Sequence, residues 1–470
     1  MMRLIFQSGT ISLEDFSPDE LPLELVKWVK ADTRTGTLRA RACDYAEIVI
    51  CLRKNRIPFE DCVRDFAPLQ ELELLEQIIL RPHQQQALDA WLQNECRGIA
   101  ALPTGSGKTI LAVHAIARVK RPACILVPTI DLMIQWAAVL ERFFGKRIGM
   151  LGGGSREIRE ITVSTYDSGV INMEFIGNRF GLLIADECHH LPGPETRLAA
   201  VMCIAPFRLG LSATPELPAD RQEVLFDLMG KIIHQVSIDS LKGSILSGYE
   251  IRQIRTELEP DEAECYRVNR EIYTSFLRRH CINFRSPGDW NRFIGLAARM
   301  ADGRKVFEAY LEQKRISRSG RAKLECLREI LCDHPEERII VFTADNATAY
   351  HIGRTFALPV ITHHTKSAER KEFLDHFRNG LYRIMVTSQV LNEGVDVPEA
   401  SIGIVVSGTA SIREHIQRLG RILRPAPGKA QAVLYELISA GTSEESVSSR
   451  RRQLPQGFAS GGVNPEKTDA

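Results

Sequence analysis

From Arg81 onward, short apolar runs alternate with amphipathic stretches. The runs Gly98–Leu102, Cys124–Val127, Ile161–Thr165, Leu182–Ala185 and Leu209–Ser212 lack the polar alternation of a half-exposed strand. They read as strands buried on both faces. Stretches starting at Lys108 and Asp131 carry apolar residues at helical spacing. Buried strands alternating with helices predict a parallel sheet covered on both sides. The pattern returns at Arg338–Phe342, Arg383–Thr387, Ile402–Ser407 and Ala432–Leu437, predicting a second lobe of the same α/β kind.

The flanking regions differ. Residues 1–75 predict a small α/β unit, with a strand and turn over Leu4–Leu13, a strand over Thr37–Cys43, and a helix through Asn55 that is capped by Asp44 and stopped by Pro58. Residues 69–80, acidic and rich in leucine, read as a linker or a short helix. Between the lobes, over 257–320, strand signal vanishes and arginines interleave with aromatics: Tyr266, Arg267, Arg270, Tyr273, Phe276, Arg278 and Arg279. This predicts a helical insertion. The Ser-, Gly- and Arg-rich tail after Gly441 reads as disordered.

Composition narrows the class without fixing it. The chain has 470 residues, 44% of them hydrophobic and 25% charged, as in ordinary globular proteins. A net charge of +1 gives no global attraction to nucleic acid, so any such surface must be local. The eleven cysteines are scattered without a Cys-x-x-Cys pair, which reads as reduced thiols and not as a disulfide frame or zinc ribbon. No leader-like or membrane-spanning run occurs, and a cytoplasmic enzyme is expected.

Two motifs carry chemistry. Residues 102–109 read Leu-Pro-Thr-Gly-Ser-Gly-Lys-Thr. Gly105 and Gly107 let backbone N–H groups, with those of Thr104 and Ser106, close around phosphates. Lys108 would meet the β- and γ-phosphates, and Thr109 would ligate Mg²⁺ at the start of a helix whose positive end faces the anion. The strict pattern wants glycine where Leu102 stands. Further on, Asp186 and Glu187 follow the buried run Leu-Leu-Ile-Ala, at the strand end where α/β sheets bind ligands. Asp186 is expected to hold Mg²⁺, and Glu187 to orient and deprotonate the attacking water. His189 is expected to relay between the nucleotide and Ser212-Ala213-Thr214. A metal cluster built on Cys188, His189 and His190 lacks four ligands.

In the second half, Gln417, Arg421 and Arg424 share one helical face within Gln-Arg-Leu-Gly-Arg-Ile-Leu-Arg, as groups that meet charge on a transferring phosphoryl do. That string, with the motifs above, resembles superfamily 2 helicases, and in particular the XPB branch in its compact archaeal and bacterial form. Asp186-Glu187-Cys188-His189-His190-Leu191-Pro192, Ala205 to Thr214 (Ala-Pro-Phe-Arg-Leu-Gly-Leu-Ser-Ala-Thr) and Val433 to Ser439 carry the likeness. The resemblance implies two tandem RecA-like lobes, a helical thumb in the insertion and an N-terminal damage-recognition-like domain. The expected divisions are 1–75, lobe 1 at 76–240, thumb and linker at 241–320, lobe 2 at 321–440, and a tail at 441–470. It also implies adenine recognition by Arg81 and Gln84, coupling through Ser212 and Thr214, nucleotide contact by Gly394 and Asp396, and strand contact by Thr129, Thr165, Thr387 and Gln389. Arg278 and Arg279, with Phe276, are expected on the thumb, where they grip duplex or wedge the fork. The alternative is that the aromatics form the core of a helical hairpin and the arginines are solvated.

The implied function is an ATP- and Mg²⁺-dependent, 3′–5′ DNA helicase or translocase in excision repair or transcription-linked opening. Its partner would be duplex or forked DNA, bound by a monomer away from membranes. One departure stands out. The Arg-Glu-Asp triplet common in the branch is missing, and Pro215-Glu216-Leu217-Pro218-Ala219-Asp220-Arg221 stands there. This leaves two alternatives open: an ATP-gated DNA clamp that recruits a repair nuclease, and a general superfamily 2 motor that acts on RNA or in restriction.

Overall fold

The computed structural model describes residues 2–15, 22–33, 36–69, 72–76, 78–103, 105–213, 217–236, 248–284, 288–388, 400–408 and 431–446. The chain divides after residue 240 into two compact units.

The first unit opens with β1 (Met2–Gln7), β2 (Thr10–Glu14), β3 (Val29–Asp32), β4 (Thr37–Arg41), α1 (Tyr45–Lys54) and β5 (Phe59–Cys62). These strands form a sheet of order β3-β4-β2-β1-β5, in which only β1 and β5 run parallel. Asp44 occupies the cap position of α1, but its carboxylate does not cap. Arg41 donates to both of its oxygens, at 2.8 and 2.7 Å, and a guanidinium outcompetes a backbone amide for a carboxylate. Among the described residues, 69–80 hold no helix.

The large sheet is built from β6 (Arg97–Ala101), β7 (Ala123–Val127), β8 (Gly149–Gly152), β9 (Ser155–Glu157), β10 (Ile161–Thr165), β11 (Leu182–Asp186), β12 (Phe207–Ser212) and β13 (Ile232–Gln235). Its order is β13-β6-β12-β11-β7-β10-β8-β9, parallel except for the β8–β9 hairpin. Every residue of β7, β10 and β11 is buried, as the apolar runs require. The helices are α2 (Pro82–Gln93), α3 (Lys108–Val119), α4 (Ile130–Phe144), α5 (Tyr166–Ile176), α6 (Leu198–Val201) and α7 (Ala219–Met229). The small N-terminal sheet is welded to this lobe. Cys43 packs into the lobe's core and Ile204 into the small domain's core. Arg41 pairs with Asp227 at 2.6 Å, and Arg97 with Glu47 at 3.0 Å.

The second unit carries β14 (Gly248–Thr256), then α8 (Pro260–Arg279), α9 (Gly288–Arg299) and α10 (Gly303–Ser319). The expected strand-free insertion is therefore helical. α11 (Arg321–Asp333), β15 (Ile339–Phe342), α12 (Asn346–Phe356), β16 (Val360–Ile361), α13 (Ser367–Arg378), β17 (Ile384–Thr387), β18 (Ile402–Val405) and β19 (Gln431–Ser439) complete it. The sheet order is β14-β19-β18-β15-β17-β16, all parallel. The first residues of the expected tail are ordered, against the sequence expectation. Lys323 is 1% exposed and donates to Ser317 O at 2.8 Å, Val406 O at 3.1 Å and the Glu444 carboxylate. Tyr266 OH accepts from Ser443 N at 2.9 Å. A buried ammonium requires a nearby anion, and Glu444 supplies it.

Candidate nucleotide site

The site stands at the carboxyl edge of the first large sheet. β6 ends at Ala101, and Leu102 N still bonds Ser212 O at 2.9 Å, which extends the ladder. Leu102 is fully buried in the core, so the position where the strict motif has glycine is filled by packing. The chain then turns through Gly105 and Gly107, at φ +83° and +87°. This left-handed backbone strains any side chain. α3 begins at Lys108 with Gly107 as its cap, so its first N–H groups face the loop.

The loop is braced from behind by α2. Gln84 Nε2 donates to Ser106 O (2.9 Å) and Gly107 O (3.1 Å), while its Oε1 accepts from Arg81 N (2.9 Å). His83 Nε2 donates to Ser106 O at 2.9 Å. Gln84 is thus bound to the phosphate loop itself. His83 adds a brace that sequence reasoning missed; its only signal was its place inside Arg-Pro-His-Gln.

Opposite the loop, β11 delivers the acidic pair. β12 lies between β6 and β11, so the three carboxyl ends bring Lys108, Ser212 and Asp186–Glu187 together. Lys108 Nζ lies 3.0 Å from Glu187 Oε1, and both side chains are nearly buried. Glu187 sits at φ +47°, a conformation unusual for a residue with a side chain. Such strain, of order 1–3 kcal/mol, persists where the surroundings over-determine it, as at active sites. Asp186 Oδ1 accepts from Glu187 N at 3.0 Å, and Oδ2 accepts from Trp136 Nε1 at 2.9 Å. Tyr166 OH donates to Asp186 O at 2.9 Å. Burial pushes the Asp186 carboxyl up to about 6, with Lys108 pulling down and Glu187 pushing further up. Burial by itself would lower the Lys108 ammonium, but Glu187 and Asp186 more than offset it and the net direction is up. His189 Nδ1 lies 3.2 Å from Ser212 Oγ and 3.5 Å from Glu187 Oε2, between the acidic pair and the end of β12. Thr109 is half-buried in the first turn of α3.

The other expected positions fall as follows. Thr129 and Thr165 are the N-caps of α4 and α5, accepting from Leu132 N and Ser168 N at 3.2 Å each. Thr387 is fully buried in the second unit, and its hydroxyl donates to Ser388 O at 3.0 Å. On α8, Phe276 is 2% exposed and packs edge-on against Phe293, so it forms core of the helical unit and not a wedge. Arg278 and Arg279 are exposed; Arg279 pairs with Asp302 at 3.1 Å. Thr104, Thr214, Gln389, Gly394, Asp396, Gln417, Arg421 and Arg424 lie outside the described residues. Trp136 was not anticipated, because an aromatic at helical spacing reads first as core; Tyr166 stands beside the expected strand contact Thr165 in Ser164-Thr165-Tyr166-Asp167, but its bond to Asp186 O was not anticipated.

A phosphate loop facing an Asp-Glu-Cys-His strand end, followed in the chain by a second parallel-sheet lobe, defines a superfamily 2 helicase. Three family profiles match: residues 4–63 the Xeroderma pigmentosum group B helicase damage recognition domain, 77–217 the Type III restriction enzyme res subunit, and 323–464 the ERCC3/RAD25/XPB C-terminal helicase. The chain is 38% identical to the DNA 3'-5' translocase XPB2 of Sulfurisphaera tokodaii, over 96% of this chain and 100% of that protein. It is 28% identical to the DNA 3'-5' helicase XPB of Mycobacterium tuberculosis, over 80% of this chain and 63% of that longer protein. Among solved structures, the Hef helicase domain of Pyrococcus furiosus matches in fold, with a TM-score of 0.52 at 18% identity, over 80% of this chain and 100% of that one. The chain belongs to the XPB family of helicases.

Proposed function

We propose that this chain hydrolyses ATP with Mg²⁺ to drive 3′–5′ movement on DNA, and that it opens duplex in repair or transcription. The observation that carries the reading is the buried meeting of Lys108 with Asp186 and Glu187 at the mouth of a glycine-shaped cradle. The printed activities of the relatives, a DNA 3'-5' translocase and a DNA 3'-5' helicase, support the polymer and the direction. The donor set fits the implied groups. A carboxylate and a hydroxyl are hard oxygen ligands suited to Mg²⁺, and a Cβ at Gly107 would meet Gln84 Nε2 at 2.2 Å, so the loop tolerates only bare backbone. Asp186 and Thr109 would hold the ion, which neutralises phosphate charge when bound. Arg81, Gln84 and Gly105 to Lys108 bind and orient the nucleotide. Glu187 takes the proton of the attacking water, and His189 reports its position to Ser212. Arg421 and Arg424 supply the cations that meet the transferring charge and Gln417 a neutral hydrogen bond, with Gly394 and Asp396 contacting the nucleotide. Thr129, Thr165, Gln389, Arg278 and Arg279 touch the nucleic acid; Thr387, fully buried with its hydroxyl bonded to Ser388 O, does not.

The test is ATP hydrolysis by the wild type and Lys108→Ala with no polymer, duplex DNA, single-stranded DNA or RNA. DNA stimulation that disappears in the variant supports the reading. Stimulation by RNA alone would replace DNA with RNA as the track, and no hydrolysis under any condition would remove the motor. One observation favours translocation without strand separation. Where the branch has its acidic-basic triplet, residues 215–221 of this chain contain none, and Asp220 and Arg221 lie exposed on the first turn of α7. A strand-displacement assay run beside a triplex-displacement assay separates the two.

A further inference from the structure

Asp186 is gripped from two sides by aromatic side chains. Trp136, 1% exposed, donates its indole N–H to Oδ2; Tyr166, 3% exposed, donates its hydroxyl to the backbone carbonyl, both at 2.9 Å. A phenylalanine would fill the space of Tyr166 without its hydroxyl, and most of the space of Trp136 without its N–H. Burying an N–H or O–H is favourable only where it has a partner, so both positions use their polar end on the same residue. Each aromatic also belongs to a helix capped by a candidate strand contact. Trp136 lies two turns along α4 from its cap, Thr129, and on the same face. Tyr166 follows Thr165, the cap of α5, directly. Thr129 follows β7 and Thr165 ends β10, and β7 is the sheet neighbour of both β10 and β11. Met133, one turn into α4, and Thr165 share Gly152 as a neighbour: a Cβ there would meet Met133 Sδ at 3.2 Å and Thr165 Cγ2 at 2.9 Å.

We infer that Trp136 and Tyr166 are positioning residues that couple strand contact at Thr129 and Thr165 to the carboxylate of Asp186. A helix moves as a rigid rod, so a nucleic acid that displaces the cap of α4 or α5 displaces the indole or the phenol and re-aims Asp186. Two independent levers ending on one residue give an all-protein path from track to ion. This rests on the reading that Asp186 holds Mg²⁺ and that the two threonines touch the track.

The experiment uses the full chain as wild type, Trp136→Phe, Tyr166→Phe and Lys108→Ala. Binding of a fluorescent, non-hydrolysable ATP analogue is titrated with Mg²⁺, with and without duplex DNA, and circular dichroism checks that each variant is folded. Removing an outer partner of a metal carboxylate costs about 10–100-fold in metal affinity, so the Mg²⁺ midpoint of Trp136→Phe is expected to rise by about tenfold or more. DNA is expected to shift the midpoint in the wild type and to lose that effect in both aromatic variants. Should Trp136→Phe fail to fold, Tyr166→Phe decides, because it removes one hydroxyl and keeps the ring. A DNA effect that survives in the folded aromatic variants, or is absent from the wild type, overturns the coupling. In that case loss of nucleotide binding in Lys108→Ala leaves the pocket reading intact. A wild type without Mg²⁺-dependent nucleotide binding overturns both.

Discussion

Glu187→Gln is expected to tighten nucleotide binding while abolishing hydrolysis. Lys108 pairs with Glu187 at 3.0 Å, with each side chain only 11–12% exposed. To reach a phosphate, the ammonium must leave that carboxylate. At an effective dielectric near 20, two charges at this distance attract by about 5 kcal/mol. The cost of removing both from water offsets much of that. The amide oxygen of glutamine still accepts a hydrogen bond from the Lys108 ammonium, now between an ion and a neutral dipole. What is lost is the attraction between two full charges; after the desolvation offset this removes about 1–2 kcal/mol of competition. That corresponds to about 5–30-fold tighter binding of Mg²⁺–nucleotide. Losing a general base slows hydrolysis by about 10²–10⁴. The isosteric amide keeps the left-handed backbone at position 187 and the neighbourhood of His189. Titration with a fluorescent non-hydrolysable analogue gives the first quantity, and single-turnover hydrolysis at saturating nucleotide gives the second. The opposite signs make the test sharp, since general damage to the pocket would weaken both. Affinity that is unchanged or weaker would refute the argument that Glu187 competes with the phosphates for Lys108.

Three further outcomes follow from the same geometry. Gly107→Ala places a Cβ 2.2 Å from Gln84 Nε2 at φ +87°; with about 1–2 kcal/mol of backbone strain, nucleotide affinity should fall about tenfold. Part of that loss should return in the double variant with Gln84→Ala, and an additive further loss would contradict the contact. Arg208→Met removes the donors to Ala205 O, Leu228 O, Ala200 O and Cys203 O. It should destabilise the first unit by about 3–5 kcal/mol, read from urea unfolding, and a midpoint shift under half of that would show the carbonyls find other donors. Phe276→Ala should cost about 3–5 kcal/mol in the helical insertion and leave DNA affinity in the folded protein unchanged, whereas Arg278→Ala with Arg279→Ala should weaken DNA binding and flatten its salt dependence; the reverse pattern in a fluorescence-anisotropy titration would restore Phe276 as a contact.

The apolar runs were legible because a strand buried on both faces leaves no choice of face. The phosphate loop was legible because φ-positive glycines before a helix start are a local pattern. The acidic pair at the end of β11 followed from the same logic. What was hidden depends on competition between partners far apart in the chain. Asp44 looks like a helix cap until Arg41 takes its carboxylate. Trp136 and Tyr166 look like core, and by burial they are core; only their polar ends reveal a second task. The left-handed backbone of Glu187 has no signature in the sequence, since no glycine or asparagine marks it.

Buried cations mark where pattern reading fails most and where the fold is tied together. Lysine and arginine are expected at the surface, so a buried one implies partners drawn from elsewhere in the chain. Arg208 joins β12 to α6 and α7, and Lys323 joins α11 to the end of β18 and to Glu444. Lys108 joins α3 to β11. The three differ in what holds them. Arg208 donates to four backbone carbonyls, and Lys323 to two besides the Glu444 carboxylate; those carbonyls cannot leave without unfolding the segments that carry them. Lys108 is held by a side-chain carboxylate at the mouth of an anion cradle, an acceptor that a phosphate can replace without moving a strand. Burial alone therefore does not single out the functional cation. The exchangeability of its partner does, and by that criterion Lys108 is the one built to let go.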